Sequence, residues 1–304
     1  MMKWLKAPER DRLKYMVHEA YMEVFPTDTI ESRLEVLEPN SYVAVTCSPS
    51  KGVDETLDMT ERLALRGFKV VPHIAAKMVR DKQHLREIIA HLNDLPVISI
   101  FVPGGDAPKP LGDYSTAYEL LHDIAEIEHK FTEIGVGAHP EGHPAVSDDV
   151  LIAELLKKQE IANYLVTQMC FEATAIEKWL IRIREQGVTL PAWLGLPGVA
   201  DRTSLLKTSM RIGVGDSLSY LKKNPRIAMK FMLSNEYRPD KLLYDLAPTL
   251  VDPRTTSMDF TSTVSTRSRR PRSGGTNSWR GIIDGKAESP GKARSKCDRS
   301  TRVA

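Results

Sequence analysis

The sequence predicts an α/β fold, and within that class an eight-stranded β/α barrel of the TIM type. Short apolar segments alternate with amphipathic helical patterns, and polar residues follow most of the apolar segments. Strands that are apolar on both faces are typical of a parallel sheet covered by helices. A doubly wound open sheet is the alternative, but no GxGxxG pattern follows the first predicted strand, so its usual dinucleotide signature is missing.

The predicted elements follow one another in a regular order. Residues 8–19 are charged and predict a short helix or arm, and the β-like run Tyr21–Phe25 ends at Pro26. Further strands are predicted over Tyr42–Thr46, Lys69–Ile74, Val97–Val102, Glu133–Ala138, Tyr164–Thr167 and Leu190–Leu194. The helices are predicted over a segment ending at Gly67 and over Lys82–Leu92, Tyr114–His129, Asp148–Ala162, Ala173–Gln186 and Tyr237–Leu246. Seven strands are reached at Leu194, and the last helix is the one expected before an eighth strand.

The charge distribution separates the body of the chain from its tail. Residues 253–304 hold 12 Lys/Arg and 4 Asp/Glu, a net charge of +8, which leaves 30 and 36, a net charge of −6, for residues 1–252. We therefore predict an N-terminal arm over residues 1–20, a barrel over residues 21–252 and a basic, low-complexity, disordered tail over residues 253–304. Four tail arginines are candidate phosphate contacts: Arg267, Arg269, Arg270 and Arg272. The acidic body gives no reason to expect nucleic-acid binding, and we predict no nucleic-acid partner.

Composition also bounds the location of the protein. No apolar run is long enough to span a bilayer, and the first residues lack the apolar region of a secretory signal, so the sequence predicts a cytoplasmic protein with no membrane partner. Cys47, Cys170 and Cys297 are widely spaced and form no CxxC pattern, which predicts free thiols. The sequence leaves the oligomeric state open.

Polar residues collect at the predicted C-terminal ends of the strands, where β/α barrels place their active sites. They are Glu23, Cys47, Ser48, His73, Gly104, Gly105, Asp106, His139, Glu141, His143, Thr167 and Gln168. In the stretch Gly135–Pro144 the two imidazoles and the carboxylate occupy alternate positions, so an extended backbone would point them to one side. This distribution predicts a functional site at that rim.

Two chemistries fit such a rim. A metal-dependent hydrolase would take ligands from His73, Asp106, His139, Glu141 and His143 and activate water. A reductase would need a general acid and polar groups that hold a flat cofactor. The neighbouring prolines disfavour a helix, so the His-x-Glu-x-His pattern is not the helical HExxH of zinc proteases, and we predict no metal site.

Seven short motifs, in order, resemble the methylenetetrahydrofolate reductase family over roughly residues 20–250. They are Glu-Val-Phe-Pro at 23–26, Val-Thr at 45–46, Pro-His at 72–73, Gly-Asp-Ala-Pro at 105–108, His-Pro-Glu-Gly-His-Pro at 139–144, Thr-Gln-Met-Cys-Phe-Glu at 167–172 and Gly-Leu-Pro-Gly-Val at 195–199. The resemblance implies a β/α barrel that reduces 5,10-methylenetetrahydrofolate to 5-methyltetrahydrofolate, with NAD(P)H delivering hydride through bound FAD.

The resemblance also implies roles for individual residues. Glu23 matches the acid that protonates a folate nitrogen as the ring opens to an iminium ion, and Asp106 matches an aspartate near flavin and pterin. Such an acid must hold its proton near neutrality, which burial in an apolar strand favours. Gln168 matches a glutamine that hydrogen-bonds the pterin, with Thr167 beside it as a second substrate-binding residue. The cofactor side would comprise His73, Gly105, His139, Glu141, His143 and Lys157.

The chain departs from the flavin-dependent members mainly on the flavin side. They carry Arg where this chain has Gly104, Tyr where it has His139, Asn where it has Ala153, and a Tyr-Gly-rich turn where it has Cys47–Pro49. We therefore predict a divergent branch that binds flavin weakly or not at all. In that branch NAD(P)H, with NADH favoured, would pass hydride directly to the iminium carbon.

The tail allows one further interpretation. Residues 258–278 can be back-translated so that a shifted reading frame gives Gly-Leu-His-Leu-Tyr-Ser-Phe-Asn-Gln-Ile-Glu-Ala-Thr-Glu-Lys-Trp, which resembles the family's closing strand and last helix. This predicts a frameshifted C-terminus in which the eighth strand is missing or altered. A catalytically impaired folate-binding barrel is then an alternative to an active reductase.

Overall fold

The computed structural model describes residues 5–143, 146–201, 205, 236–255 and 258–263. Its helices are α1 (Ala7–His18), α2 (Ile30–Leu34), α3 (Gly52–Leu65), α4 (Lys82–Asn93), α5 (Ala117–Ala125), α6 (Asp148–Lys158), α7 (Ala173–Glu185) and α8 (Asp240–Leu246). Its strands are β1 (Tyr21–Val24), β2 (Tyr42–Val45), β3 (Lys69–Pro72), β4 (Ser99–Val102), β5 (Glu133–Ala138), β6 (Tyr164–Thr167), β7 (Ala192–Pro197), β8 (Ala200–Asp201), β9 (Glu236–Tyr237) and β10 (Met258–Thr263). The predicted alternation of strands and helices is confirmed.

Eight strands form one parallel sheet in the order β3-β2-β1-β10-β7-β6-β5-β4. The two strands at the ends of this order, β3 and β4, lie side by side. An isolated parallel bridge joins His73 to Phe101, and the amide of Ile74 donates to the carbonyl of Phe101 at 2.8 Å. The parallel α/β class predicted from the sequence is therefore confirmed.

Strand β10 occupies the position of the eighth strand, between β7 and β1. Its residues pair from Met258 opposite Ala192 to Thr263 opposite Pro197, and Thr261 lies opposite Tyr21. The prediction that this strand is missing is therefore wrong; an altered strand remains a prediction. The disordered tail over residues 253–304 stays a prediction; within that range the structure describes β10 and the short 3₁₀ helix at Pro253–Thr255. Composition alone could not reveal that the backbone of β10 has a hydrogen-bonding strand on each side.

The outer helices pack on the sheet through apolar stripes. In α4, Leu85, Ile88, Ile89 and Leu92 recur at helical spacing and are buried, and burying each such side chain stabilises the fold by about 1.5–3 kcal/mol. The helix begins after Asp81, whose carboxylate accepts from the amide of His84 at 2.8 Å. Such caps and stripes fix where each helix lies against its strands.

Aromatic side chains fill the concave side of the sheet near the strand starts. The ring of Tyr21 stacks on Tyr42 at 4.5 Å and contacts Trp193 at 4.4 Å. Because β10 separates β1 from β7 in the sheet, the second contact requires the sheet to curve, with both rings on its concave side. Tyr164 continues the row at 6.2 Å from Trp193. We call these four residues the aromatic layer.

Several predictions concern residues that the structure does not describe. The four tail arginines and Cys297 lie outside the described residues, whereas Cys47 and Cys170 are free thiols. Among the described helices none is long and apolar enough to cross a membrane. The boundaries at residues 20 and 252 stay predictions.

Candidate functional site

Strand alternation places polar side chains one step above the aromatic layer. One residue each from β1, β2 and β3 packs in a shared cluster on the concave side: Tyr21, Ala44 and Val71. Side chains two residues apart on a strand share a face. Glu23, Thr46 and His73 therefore follow on the same side, towards the C-terminal ends of the strands.

Glu23 and Thr46 are joined directly. The hydroxyl of Thr46 donates to Oε1 of Glu23 at 3.1 Å, and both side chains are half-buried. The amide of Thr46 donates to the carbonyl of Val24 at 2.9 Å, which carries the β1–β2 ladder one residue beyond β2. The predicted acid thus lies at the rim with one carboxylate oxygen already hydrogen-bonded.

His73 lies beside this pair and is buried. Its amide donates to the carbonyl of Val45 at 2.9 Å, and its ring packs against Phe101 with ring centres 4.6 Å apart. Burial lowers the pKa of His73, and the nearby Glu23 carboxylate opposes that shift. His73 therefore presents a neutral imidazole next to Glu23.

The loop after β4 brings Asp106 to the rim. Gly105 adopts φ 92°, in the left-handed region that favours glycine, and a Cβ added there would lie 3.1 Å from Cβ of Ala75. Asp106 is exposed, yet the protein atoms around it displace solvent and raise its pKa, while Lys77 and His143 act in the opposite direction. Asp106, Lys77 and His143 thus form one electrostatic group.

His139 occupies a more enclosed position than its loop predicts. Its ring meets that of His143 edge-on, with centres 5.2 Å apart. Burial, followed by the influence of His143 and Lys158, lowers the pKa of His139 to about 4. A cavity of about 40 Å³ adjoins it, lined by Gly137, Ala138, His139, Asp148, Leu151, Ile152, Leu155, Lys158 and Trp179.

Because the pKa of His139 is lowered, we expect the unfolding free energy of the protein to depend on pH. The unfolded chain, with an ordinary histidine pKa of 6.5, takes up the proton before the folded chain does, so stability is lost as pH falls from about 6.5 towards about 4. Between pH 7 and pH 5 we expect His139 to account for about 2 kcal/mol of lost unfolding free energy. Urea denaturation at both pH values should show that much less loss for His139→Gln than for the wild-type protein.

His122→Gln is the matched control for this measurement, because His122 is 61% exposed on α5. It should keep the wild-type difference between pH 7 and pH 5. An equal loss in His139→Gln and wild type would contradict a neutral, enclosed His139.

The remaining predicted side chains on β5 and β6 have different surroundings. Glu141 is half-buried near Cys170, where burial first and Glu141 second raise the pKa of the Cys170 thiol. Gln168 is half-buried, and its backbone amide donates to the carbonyl of Ala138 at 2.7 Å. Thr167 is buried, and its hydroxyl accepts from the amide of Gly195 at 2.8 Å. That contact ties Thr167 to β7 and does not favour its predicted role in substrate binding.

Two neighbouring lysines on α6, Lys157 and Lys158, have different surroundings. Lys157, predicted on the cofactor side, is exposed and pairs with Glu154 at 2.8 Å. Lys158 is instead half-buried and lines the cavity beside His139, and burial lowers its pKa. The cofactor-binding role of Lys157 stays a prediction. Helical periodicity was the available signal, because Lys158 follows the buried Leu155 by three residues.

The rim residues proposed as metal ligands do not form a compact set. In the described part of the chain, the His, Cys, Asp and Glu side chains close enough to share an ion are His122, Asp123 and Glu126. They lie on and just after α5, away from the rim, and the Lys82 ammonium contacts both carboxylates. This cluster contains none of the rim residues that the hydrolase alternative needs as metal ligands.

The fold and the rim define the class: an α/β protein with polar side chains gathered at the C-terminal ends of parallel strands. The chain belongs to the methylenetetrahydrofolate reductase family, whose sequence model matches residues 26–211. A probable methylenetetrahydrofolate reductase (NADPH) from Caenorhabditis elegans is 32% identical over 117 residues, which are 38% of this chain and 16% of that protein. The matched segment is therefore a small part of that relative.

Solved structures resemble the chain in backbone shape at low sequence identity. A 2,3-dimethylmalate lyase of the PEP mutase/isocitrate lyase superfamily covers 83% of this chain and 97% of its own, with 9% identity and a TM-score of 0.43. A putative deoxyribose-phosphate aldolase from Toxoplasma gondii covers 86% and 93%, with 12% identity and a TM-score of 0.42.

Proposed function

We propose that the protein reduces 5,10-methylenetetrahydrofolate to 5-methyltetrahydrofolate with a nicotinamide cofactor. Family membership supports the folate substrate, and the placement of Glu23 at the rim carries the proposal. A proton passes from Glu23 to the aromatic amine nitrogen of the folate, its bond to the methylene carbon breaks, and an iminium ion forms. Hydride from NAD(P)H then converts the iminium carbon to a methyl group, and the Glu23 carboxylate regains a proton from solvent.

The surroundings of Glu23 support its role as the acid. It is half-buried, its Oε1 is held by Thr46, and the neutral His73 imidazole lies nearby. A carboxyl fixed in this way can deliver a proton to a folate nitrogen that lies within hydrogen-bond reach.

The remaining rim residues take the substrate and the hydride donor. Gln168, on the β6 side, would hydrogen-bond the pterin, and Asp106 would face the pterin from the β4 loop. The group of Asp106, Lys77 and His143 would orient the polar edge of the bound molecules.

We infer that the protein binds flavin weakly or not at all, and two observations on the described residues support this. The cavity at His139 measures about 40 Å³, whereas sites for cofactor-sized ligands span roughly 300–1,000 Å³. Lys157 points to solvent and is paired with Glu154. These observations support direct hydride transfer from the nicotinamide to the iminium carbon, as the departures at Gly104 and His139 predict. NADH is our favoured donor; the name of the worm relative carries NADPH.

One preparation tests the proposal. We expect the purified protein to lack a flavin absorption spectrum and to consume NADH when 5,10-methylenetetrahydrofolate is added. Added FAD should leave the rate unchanged, and NADPH should be the slower donor. Stoichiometric FAD with no activity in its absence would contradict direct transfer. Binding of 5-methyltetrahydrofolate with neither NADH nor NADPH consumed would instead support the impaired folate-binding alternative.

A further inference from the structure

The side chain of Thr46 contacts the Glu23 carboxyl directly. Its hydroxyl donates to Oε1 of Glu23 at 3.1 Å across the β1–β2 boundary. Its own backbone is fixed on both sides: the amide donates to Val24 at 2.9 Å, and the carbonyl accepts from the hydroxyl of Thr56 at 3.3 Å. The hydroxyl is therefore presented to Glu23 from a restrained backbone.

We propose that Thr46 is a positioning residue that orients the Glu23 carboxyl for proton transfer. The inference rests on the proposed function, because it takes Glu23 as the acid. A carboxyl group has two oxygens and rotates about its last bond unless a partner holds it. With Oε1 held by Thr46, we expect Oε2 to carry the proton to the substrate.

Two substitutions can test the hydroxyl of Thr46 separately from the packing of its side chain. Valine has the same branched shape as threonine and a similar preference for extended backbone. Thr46→Val therefore keeps the packing and the backbone bond to Val24 while removing the donor. Thr46→Ser removes the methyl group and keeps the donor.

The kinetic test compares these two variants. We expect Thr46→Val to lower kcat about 2-fold to 10-fold, as loss of a hydrogen bond to a neutral carboxyl would, and to change KM for 5,10-methylenetetrahydrofolate less than about 2-fold. Thr46→Ser should restore most of kcat. In a Glu23→Gln background Thr46→Val should have little further effect, because the carboxyl that it positions is absent.

Thr60→Val is the matched control. Thr60 is buried in α3, and its hydroxyl donates to the carbonyl of Thr56 at 2.7 Å, so the same chemical change is made away from Glu23. It should retain the wild-type kcat. Wild-type kcat in Thr46→Val, or an equal loss in Thr46→Ser, would overturn the proposal.

A spectroscopic measurement keeps the inference testable without turnover. The ¹³C NMR resonance of the Glu23 carboxyl, assigned by its loss in Glu23→Gln, should move in Thr46→Val and stay in place in Thr60→Val. An unmoved resonance would refute the positioning contact. If the wild-type protein consumes no NADH while this resonance moves, the proposed reaction fails and the contact stands.

Discussion

Glu23→Gln is expected to lower kcat for reduction of 5,10-methylenetetrahydrofolate by about 10²-fold to 10⁴-fold, the range that general acid catalysis contributes. Glutamine preserves the size of the side chain and can still accept from the Thr46 hydroxyl, but it carries no transferable proton. KM should change little, since ring opening and not binding is impaired. Steady-state NADH consumption measures both constants.

A second Glu→Gln change separates this effect from a loss of charge. Glu133 is the first residue of β5 and is exposed at the opposite end of the sheet from the rim. Glu133→Gln should retain the wild-type kcat. A Glu23→Gln protein with more than about half the wild-type kcat would exclude Glu23 as the acid.

Gly195→Ala is expected to destabilise the protein by about 2–4 kcal/mol, the second large effect. A Cβ on Gly195 would overlap the carbonyl oxygen of Thr167, a backbone atom in the neighbouring strand β6. The Gly195 amide also donates to the Thr167 hydroxyl at 2.8 Å, so separation of the strands would weaken that bond. Urea denaturation measures the loss.

Gly137→Ala provides the comparison. Gly137 also lies within a strand, but a Cβ there would meet the ring of Phe101 at 3.7 Å, an ordinary van der Waals contact. Its change in unfolding free energy should stay within about 1 kcal/mol. Equal stability of Gly195→Ala and wild type would mean that β6 and β7 do not approach as closely as the structure has them.

Strand bounds could be predicted where the apolar run in the sequence has the same bounds as the hydrogen-bonded strand. The bounds Glu133–Ala138 and Tyr164–Thr167 are those predicted. The seventh strand was predicted over Leu190–Leu194 but runs over Ala192–Pro197. Gly195 and Pro197 weaken a strand by composition, yet the sheet needs glycine where β7 approaches Thr167, and Pro197 ends the strand.

Helix α5 differs from its prediction for a reason that the sequence contained. The helical pattern was extended back to Tyr114, whereas the helix begins at Ala117. The Thr116 hydroxyl accepts from the amide of Glu119 at 3.3 Å, and the Glu119 carboxylate accepts from the amide of Thr116 at 2.9 Å. This capping box is legible as Thr-x-x-Glu. Tyr114 remains outside and donates to Asp123 at 2.7 Å.

Some features of the site could be predicted from the local sequence, whereas others depend on tertiary packing. The sequence predicted Glu23 and His73 at the C-terminal ends of their strands, and the structure has Glu23 near the end of β1 and His73 directly after β3. The enclosure of His139 could not be read from its loop, since it depends on Lys158 and on residues of α6 and α7 that line the cavity. Tertiary packing, and not residue type, decides which imidazole stays neutral.

The aromatic layer closes the side of the site that lies beneath Glu23. Tyr21, with 5% of its surface exposed, forms a floor beneath Glu23 together with Trp193 and Tyr42. If the proposed function is right, both the hydride donor and the folate reach Glu23 from the rim. The one that binds deeper would then have to enter first and leave last.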